Sequence, residues 1–110
     1  MKAKIEKLVA EELARANEKF PAFSSNHEAY AVLLEEVEEL QHEVERVDFY
    51  RDLLWFTTKG KNQNYTLEGG LRVFAEQVKV RAINTAEEAI QVAAMCDKWM
   101  QLLEKENDRG

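Results

Sequence analysis

Apolar residues recur at helical spacing along almost the whole chain, and they divide it into three amphipathic stretches. In residues 2–19, Ile5, Leu8, Val9, Leu13 and Ala16 form one stripe. Phe20-Pro21 closes that stretch, because the residue before a proline is pushed out of the α region. Ser24, Ser25 or Asn26 can cap the next helix, and Glu28, three residues past Ser25, completes a capping box. The second stretch runs from Asn26 or His27 to about Phe56, with Leu33, Val37, Leu40, Val44 and Val47 on one face. Residues 57–68 are polar and predict a loop, and Gly69-Gly70 punctuates the start of the last helix, so 57–70 is the expected interruption. From Leu71 to about Glu106 the apolar positions keep one phase through Phe74, Val78, Ala82, Ala89, Val92, Met95, Trp99 and Leu102. One continuous helix is expected there. The alternative is a break at Asn84-Thr85, where Thr85 and Glu88 would form a second capping box. The tail, 107–110, is expected to fray.

Composition narrows the class. One proline, four glycines and few β-branched runs in 110 residues point to an all-α single domain, 1–110. Two helices of about thirty residues or more would each span roughly 45 Å, and a three-helix monomer would leave part of their apolar faces wet, the alternative being a monomer with ordinary surface apolar residues. The expected fold is therefore a small helical bundle of three to four helices completed by oligomerisation, as a homodimer or homotetramer. The net charge of −6 argues against nucleic acid and against an anionic membrane surface as partners. Cys96 is the only cysteine, so no intrachain disulfide can form and a reducing compartment is expected. The charged N-terminal stretch has no secretory apolar run, and no segment is apolar enough to span a membrane, so a cytoplasmic protein is expected. The glycosylation sequon Asn64-Tyr65-Thr66 carries no weight without an export signal.

Charge patterning supplies the candidate chemistry. On the second helix Glu36, Glu39 and Glu43 fall in one row along an edge of the apolar face, while Glu35, Glu38 and Glu45 point away and read as a solvated back. Carboxylates at i, i+3 and i+7 repel unless a positive charge sits among them, and a hard divalent cation, which takes oxygen ligands, is one answer. On the last helix Glu88 falls inside the stripe of Val92, Met95 and Trp99, with Arg81 about two turns earlier near the same face and Gln91 and Asn84 on the same edge. An ionised carboxylate in an apolar stripe must be paired or bound to a metal. An Arg81–Glu88 ion pair at i, i+7 is one solution. The other is an antiparallel pairing of the two helices that sets Glu36, Glu39, Glu88 and Gln91 face to face as four oxygen donors.

Other candidates are weaker. His27 and His42 are each followed by Glu, but Ala31 and Arg46 stand where a zinc protease needs its second histidine. Cys96, among Ala93, Met95 and Trp99, reads as a buried apolar residue, and Phe20, Phe23, Tyr30, Trp55 and Trp99 read as core. Lys59 and Lys61 read as solubilising and Lys79 as solvated, while Arg81 shares the Glu88 face. There is no Gly-rich phosphate loop, nucleophile elbow or paired-cysteine motif.

Glu35-Glu36-Val37-Glu38-Glu39 followed by Glu88-Ala89-Ile90-Gln91 resembles the E-E-x-x-E and E-x-x-D signature of the MazG-like nucleoside triphosphate pyrophosphohydrolases. FPAFSSNHEAYAVLLEEVEEL, with EEAIQVAAM later, is similar to a small stand-alone branch of that group, often phage- or bacterium-borne. The resemblance covers most of the chain except residues 49–70. It implies Mg²⁺, or Mn²⁺, held by Glu36, Glu39 and Glu88, with Gln91 as a neutral ligand or a group just behind the ligands. It implies Glu35 as an outer-sphere residue or water-orienting base, and a cation to meet the phosphates, for which Arg81 is the best placed. The implied reaction is hydrolysis of a (deoxy)nucleoside triphosphate to monophosphate and pyrophosphate, in a house-cleaning role. Gln91 stands where the family has Asp, which removes a negative charge and weakens the cation site. The alternative is a catalytically degenerate helical oligomerisation or protein-interaction module. A third reading is an acidic regulator that presents Glu35, Glu38 and Glu45 in place of a nucleic-acid surface.

Overall fold

Pro21 separates the first two helices as its ring geometry requires. In the computed structural model, which describes residues 1–61 and 65–109 (side chains to residue 107), helix α1 covers Lys2–Lys19 and Phe20 turns extended at φ −140°, ψ 95°. Helix α2 covers Asn26–Thr58 and helix α3 covers Leu67–Arg109; no strand occurs among the described residues. The cap of α2 is shared by two serines. Ser25 Oγ accepts the Glu28 backbone N–H at 3.1 Å, and the Glu28 carboxylate accepts the N–H and hydroxyl of Ser24 at 3.1 and 3.0 Å.

The break between α2 and α3 is shorter than the glycine pair suggests. At its start the Gly60 N–H donates to the Thr57 carbonyl at 2.9 Å and the Lys61 N–H to that of Phe56 at 3.2 Å, with Gly60 at φ 74°. This pairing closes a helix with a left-handed residue just past its end, which glycine adopts without strain. At its end Thr66 Oγ1 accepts the Gly69 N–H at 3.1 Å, so Gly69 and Gly70 lie in the first turn of α3 and do not precede it. Gly70 serves close approach: a Cβ there would stand 2.9 Å from Thr57 Cγ2 and 3.1 Å from Tyr65 Cβ. Residues 62–64 of the expected loop, Asn64 of the sequon among them, lie outside the described residues, as does Gly110 of the tail. Helix α3 is unbroken at Asn84-Thr85: Thr85 Oγ1 donates to the Arg81 carbonyl at 2.7 Å, which makes Thr85 an interior helical residue and not a cap. The helix also continues to Arg109, past the expected start of fraying.

The chain forms two compact units, because α2 and α3 are each long enough to contribute to both. The first comprises the described residues up to Glu39 and from Glu87 onward; the second is Leu40–Ala86. In the first unit Phe23, Ala29, Ala94 and Met95 are buried, and Val9, Leu13 and Ala16 of α1, Val32 and Leu33 of α2, and Trp99 and Leu102 of α3 pack around them. Trp99 Nε1 donates to Asn26 Oδ1 at 2.9 Å and Asn17 Nδ2 to Gln101 Oε1 at 3.3 Å, which sets the register of α3 against the other two helices. The second unit is a helical hairpin in which Phe74 is buried between the rings of Tyr50 and Tyr65, with centroids 6.4 and 5.2 Å away. Phe49, Trp55, Phe56, Val73 and Ile83 of that unit stay exposed. No described helix is long and apolar enough to cross a membrane.

Candidate metal centre and its groove

Within the first unit α2 carries Glu36 and Glu39 one turn apart, and α3 carries Glu88 opposite them. One carboxylate oxygen from each lies within 4.8 Å of the others. Glu36 and Glu88 are half-buried and Glu39 is exposed. The Glu36 carboxyl is held above its usual value of 4.5, first by burial and then by the negative charges of Glu39, Glu35 and Glu12.

Gln91, one turn beyond Glu88, completes the cluster. An amide oxygen turned toward the carboxylates would face only acceptors, so the nitrogen is assigned there; Nε2 then donates to Glu36 Oε2 at 2.8 Å and Glu88 Oε2 at 3.1 Å. Rotation of the same amide by half a turn would present its oxygen instead. Three carboxylates and an amide oxygen are the donor set of a hard cation.

The other predicted site residues lie elsewhere. Glu43, the third member of the expected acidic row, belongs to the second unit, where Arg46 Nη1 donates to one of its oxygens at 2.8 Å and Arg81 Nη1 stands 3.8 Å from the other. The row is thus divided: Glu43 is matched by two arginines, and Glu36 and Glu39 are not part of that arrangement. Arg81, the expected phosphate contact, is the same arginine that faces Glu43. Glu35 is exposed and outside the trio, acting on Glu36 through its charge.

Glu36 and Gln91 also line a groove of about 750 Å³ in the first unit. Its walls are α1, with Arg15 and Lys19; the segment from Phe20 to Ser24; and Met95 and Lys98 on α3. Lys98 is only 4% exposed. Its Nζ donates to the Phe20 carbonyl and lies 4.9 Å from the centroid of the Phe23 ring. Burial lowers the Lys98 ammonium from 10.5, and Glu28 acts in the opposite sense. Glu28 is itself engaged by Ser24.

Sequence reasoning overlooked Lys98, Arg15 and Lys19. For Lys98 a signal was present: it lies seven residues from Gln91 and three from Met95, so it shares their face, as a charge within an apolar stripe. The aromatic residues also divide unexpectedly. Phe23 is core, Trp99 is half-buried, and Phe20, Tyr30 and Trp55 are exposed, because the described chain has no further apolar layer to cover them. Cys96 is half-buried, not buried.

No protein-family model, curated protein or solved structure matches this chain. The chemistry of the site therefore rests on its own geometry.

Proposed function

We propose that this protein is an Mg²⁺-dependent nucleotide pyrophosphohydrolase of the MazG-like kind, cleaving a (deoxy)nucleoside triphosphate to monophosphate and pyrophosphate. The observation that carries this reading is the convergence of Glu36, Glu39 and Glu88 within 4.8 Å, with Glu36 on a groove whose apolar walls also carry Arg15, Lys19 and Lys98 beside Glu12 and Glu28. Glu36, Glu39 and Glu88 would hold Mg²⁺ or Mn²⁺, with Gln91 as a fourth, neutral donor once its amide rotates. When bound, the cation supplies Lewis-acid polarisation and neutralises charge between the carboxylates and the polyphosphate. Glu35, one residue from Glu36 and open to solvent, would act from outside the ligand set as the residue that orients or deprotonates the attacking water. Lys19 adds positive potential for an anionic substrate entering an acidic protein, and Arg15 stands beside it paired with Glu12. Phe23 and Met95 form an apolar wall that limits water around the bound nucleotide. Clearance of unwanted nucleotides in the cytoplasm is the corresponding role.

Pyrophosphate release from a panel of canonical and modified (deoxy)nucleoside triphosphates, with Mg²⁺ and with EDTA, tests the proposal. Metal-dependent release that disappears in Glu39→Gln and Glu88→Gln is the expected result. Absence of release from every nucleotide at high protein concentration would reject it, unless Gln91→Asp restores turnover.

A homodimer or homotetramer is part of the same proposal. Its support is the exposed Phe49, Trp55, Phe56 and Ile83 of the second unit, which a single chain leaves in water. Light scattering across a concentration series reads the assembly. The same surface favours the second reading, an interaction module without turnover, in which Gln91 permanently occupies the two carboxylates.

A further inference from the structure

We propose that Lys98 reads the far edge of the nucleobase and selects bases that present an exocyclic carbonyl over those that present an amino group; this rests on the nucleotide reading of the groove. Gln91, Met95 and Lys98 follow one another on a single face of α3, and seven residues of helix separate the first from the last by about 10 Å. That is of the order of a nucleotide's own reach from phosphate to base edge. A substrate whose phosphates lie at Glu36 and Gln91 runs its sugar along Met95 and brings its base to Lys98 and the Phe23 ring.

The chemistry of the ammonium is one-sided, and the nearby Glu28 carboxylate is already held by the N–H and hydroxyl of Ser24. An ammonium carries three N–H donors and no acceptor, and the Phe20 carbonyl takes one of them. Lys98 is 4% exposed, so the groove is the side from which the others can be met. A carbonyl at C4 of a pyrimidine or C6 of a purine accepts such a bond. An amino group in the same place sets donor against donor and leaves the buried ammonium unsatisfied, which is the situation that makes hydrogen-bonding sites discriminate strongly. The contact to Phe20 has a second effect, since it fixes the wall formed by residues 20–24.

The test uses isosteric pairs that differ at one exocyclic atom, dUTP against dCTP and ITP against ATP. Wild-type protein is expected to favour the carbonyl member of each pair by at least about tenfold in kcat/KM, the size of one hydrogen bond to a charged group. Lys98→Met is expected to bring both ratios to near one, mainly through a higher KM for the carbonyl member. If Lys98→Met loses its helical circular dichroism, Lys98→Gln decides: its amide can still donate to Phe20 and can present either edge, so it should accept both members alike. A wild-type ratio near one, or a ratio that survives in the folded variant, overturns the role of Lys98 alone. Failure of wild-type protein to bind or cleave any of the four nucleotides overturns the pyrophosphohydrolase reading itself, and this inference with it.

Discussion

Glu36→Gln should make the metal-free protein more stable. Like charges with oxygens within 4.8 Å repel by about 1 kcal/mol per pair in bulk water and about 3.5 kcal/mol at an effective dielectric constant of about 20. Burial of the Glu36 carboxylate is the first cost, and the pair with Glu39 adds to it. Glu39 is exposed and its side chain can swing away, so the watery end of that range applies and the net gain is about 1–2 kcal/mol. For a chain of this length that is a rise of about 4–8 °C in Tm. The acceptor for the Gln91 amide survives, because glutamine keeps one side-chain oxygen. The pH dependence has a definite sign. The Glu36 carboxyl is raised in the native state, so between 4.5 and its native value the folded chain binds more protons than the unfolded one. Stability from this group is greatest below 4.5 and falls as pH rises through that window, and Glu36→Gln removes the fall. Thermal unfolding in EDTA from pH 4 to 8 measures both effects. Addition of about 10 mM Mg²⁺ should stabilise the wild type by about 1.4 kcal/mol if the dissociation constant is about 1 mM, and the variant by much less. A lower Tm for Glu36→Gln in EDTA, or equal Mg²⁺ shifts in both proteins, would refute the reasoning.

Gln91→Asp exchanges a donor shared by two carboxylates for a further negative charge; it should lower the EDTA Tm by about 4–8 °C. It should also raise Mn²⁺ affinity at least about tenfold by calorimetry, the equivalent of 1.4 kcal/mol. Gly70→Ala places a Cβ 2.9 Å from Thr57 Cγ2 and should cost about 1–3 kcal/mol in urea unfolding, since the neighbour belongs to a buried residue. Ser25→Ala removes the oxygen that accepts the Glu28 N–H and should cost about 1 kcal/mol in the same assay.

What the sequence determined by itself is local. The end of α1 at Pro21, the cap at Ser25, the unbroken phase of α3 and the shared edge of Glu36 and Glu39 all follow from interactions within about one helical turn, and all appear in the structure. The same locality explains the error at Gly69-Gly70. A glycine pair is equally a signal for a break or for close approach, and only the contact of Gly70 with Thr57 separates the two. Tertiary structure alone decided which faces meet. Spacing put Glu36, Glu39 and Glu43 in one row, but packing sent Glu43 to Arg46 and Arg81 and brought Glu88, about fifty residues away, to the other two. Packing likewise turned the Gln91 amide toward two carboxylates and buried the Lys98 ammonium against Phe20 and Phe23. A helical period says which side chains share a face. The azimuth of one helix against another is set by long-range contacts such as Trp99 with Asn26, which the period does not contain.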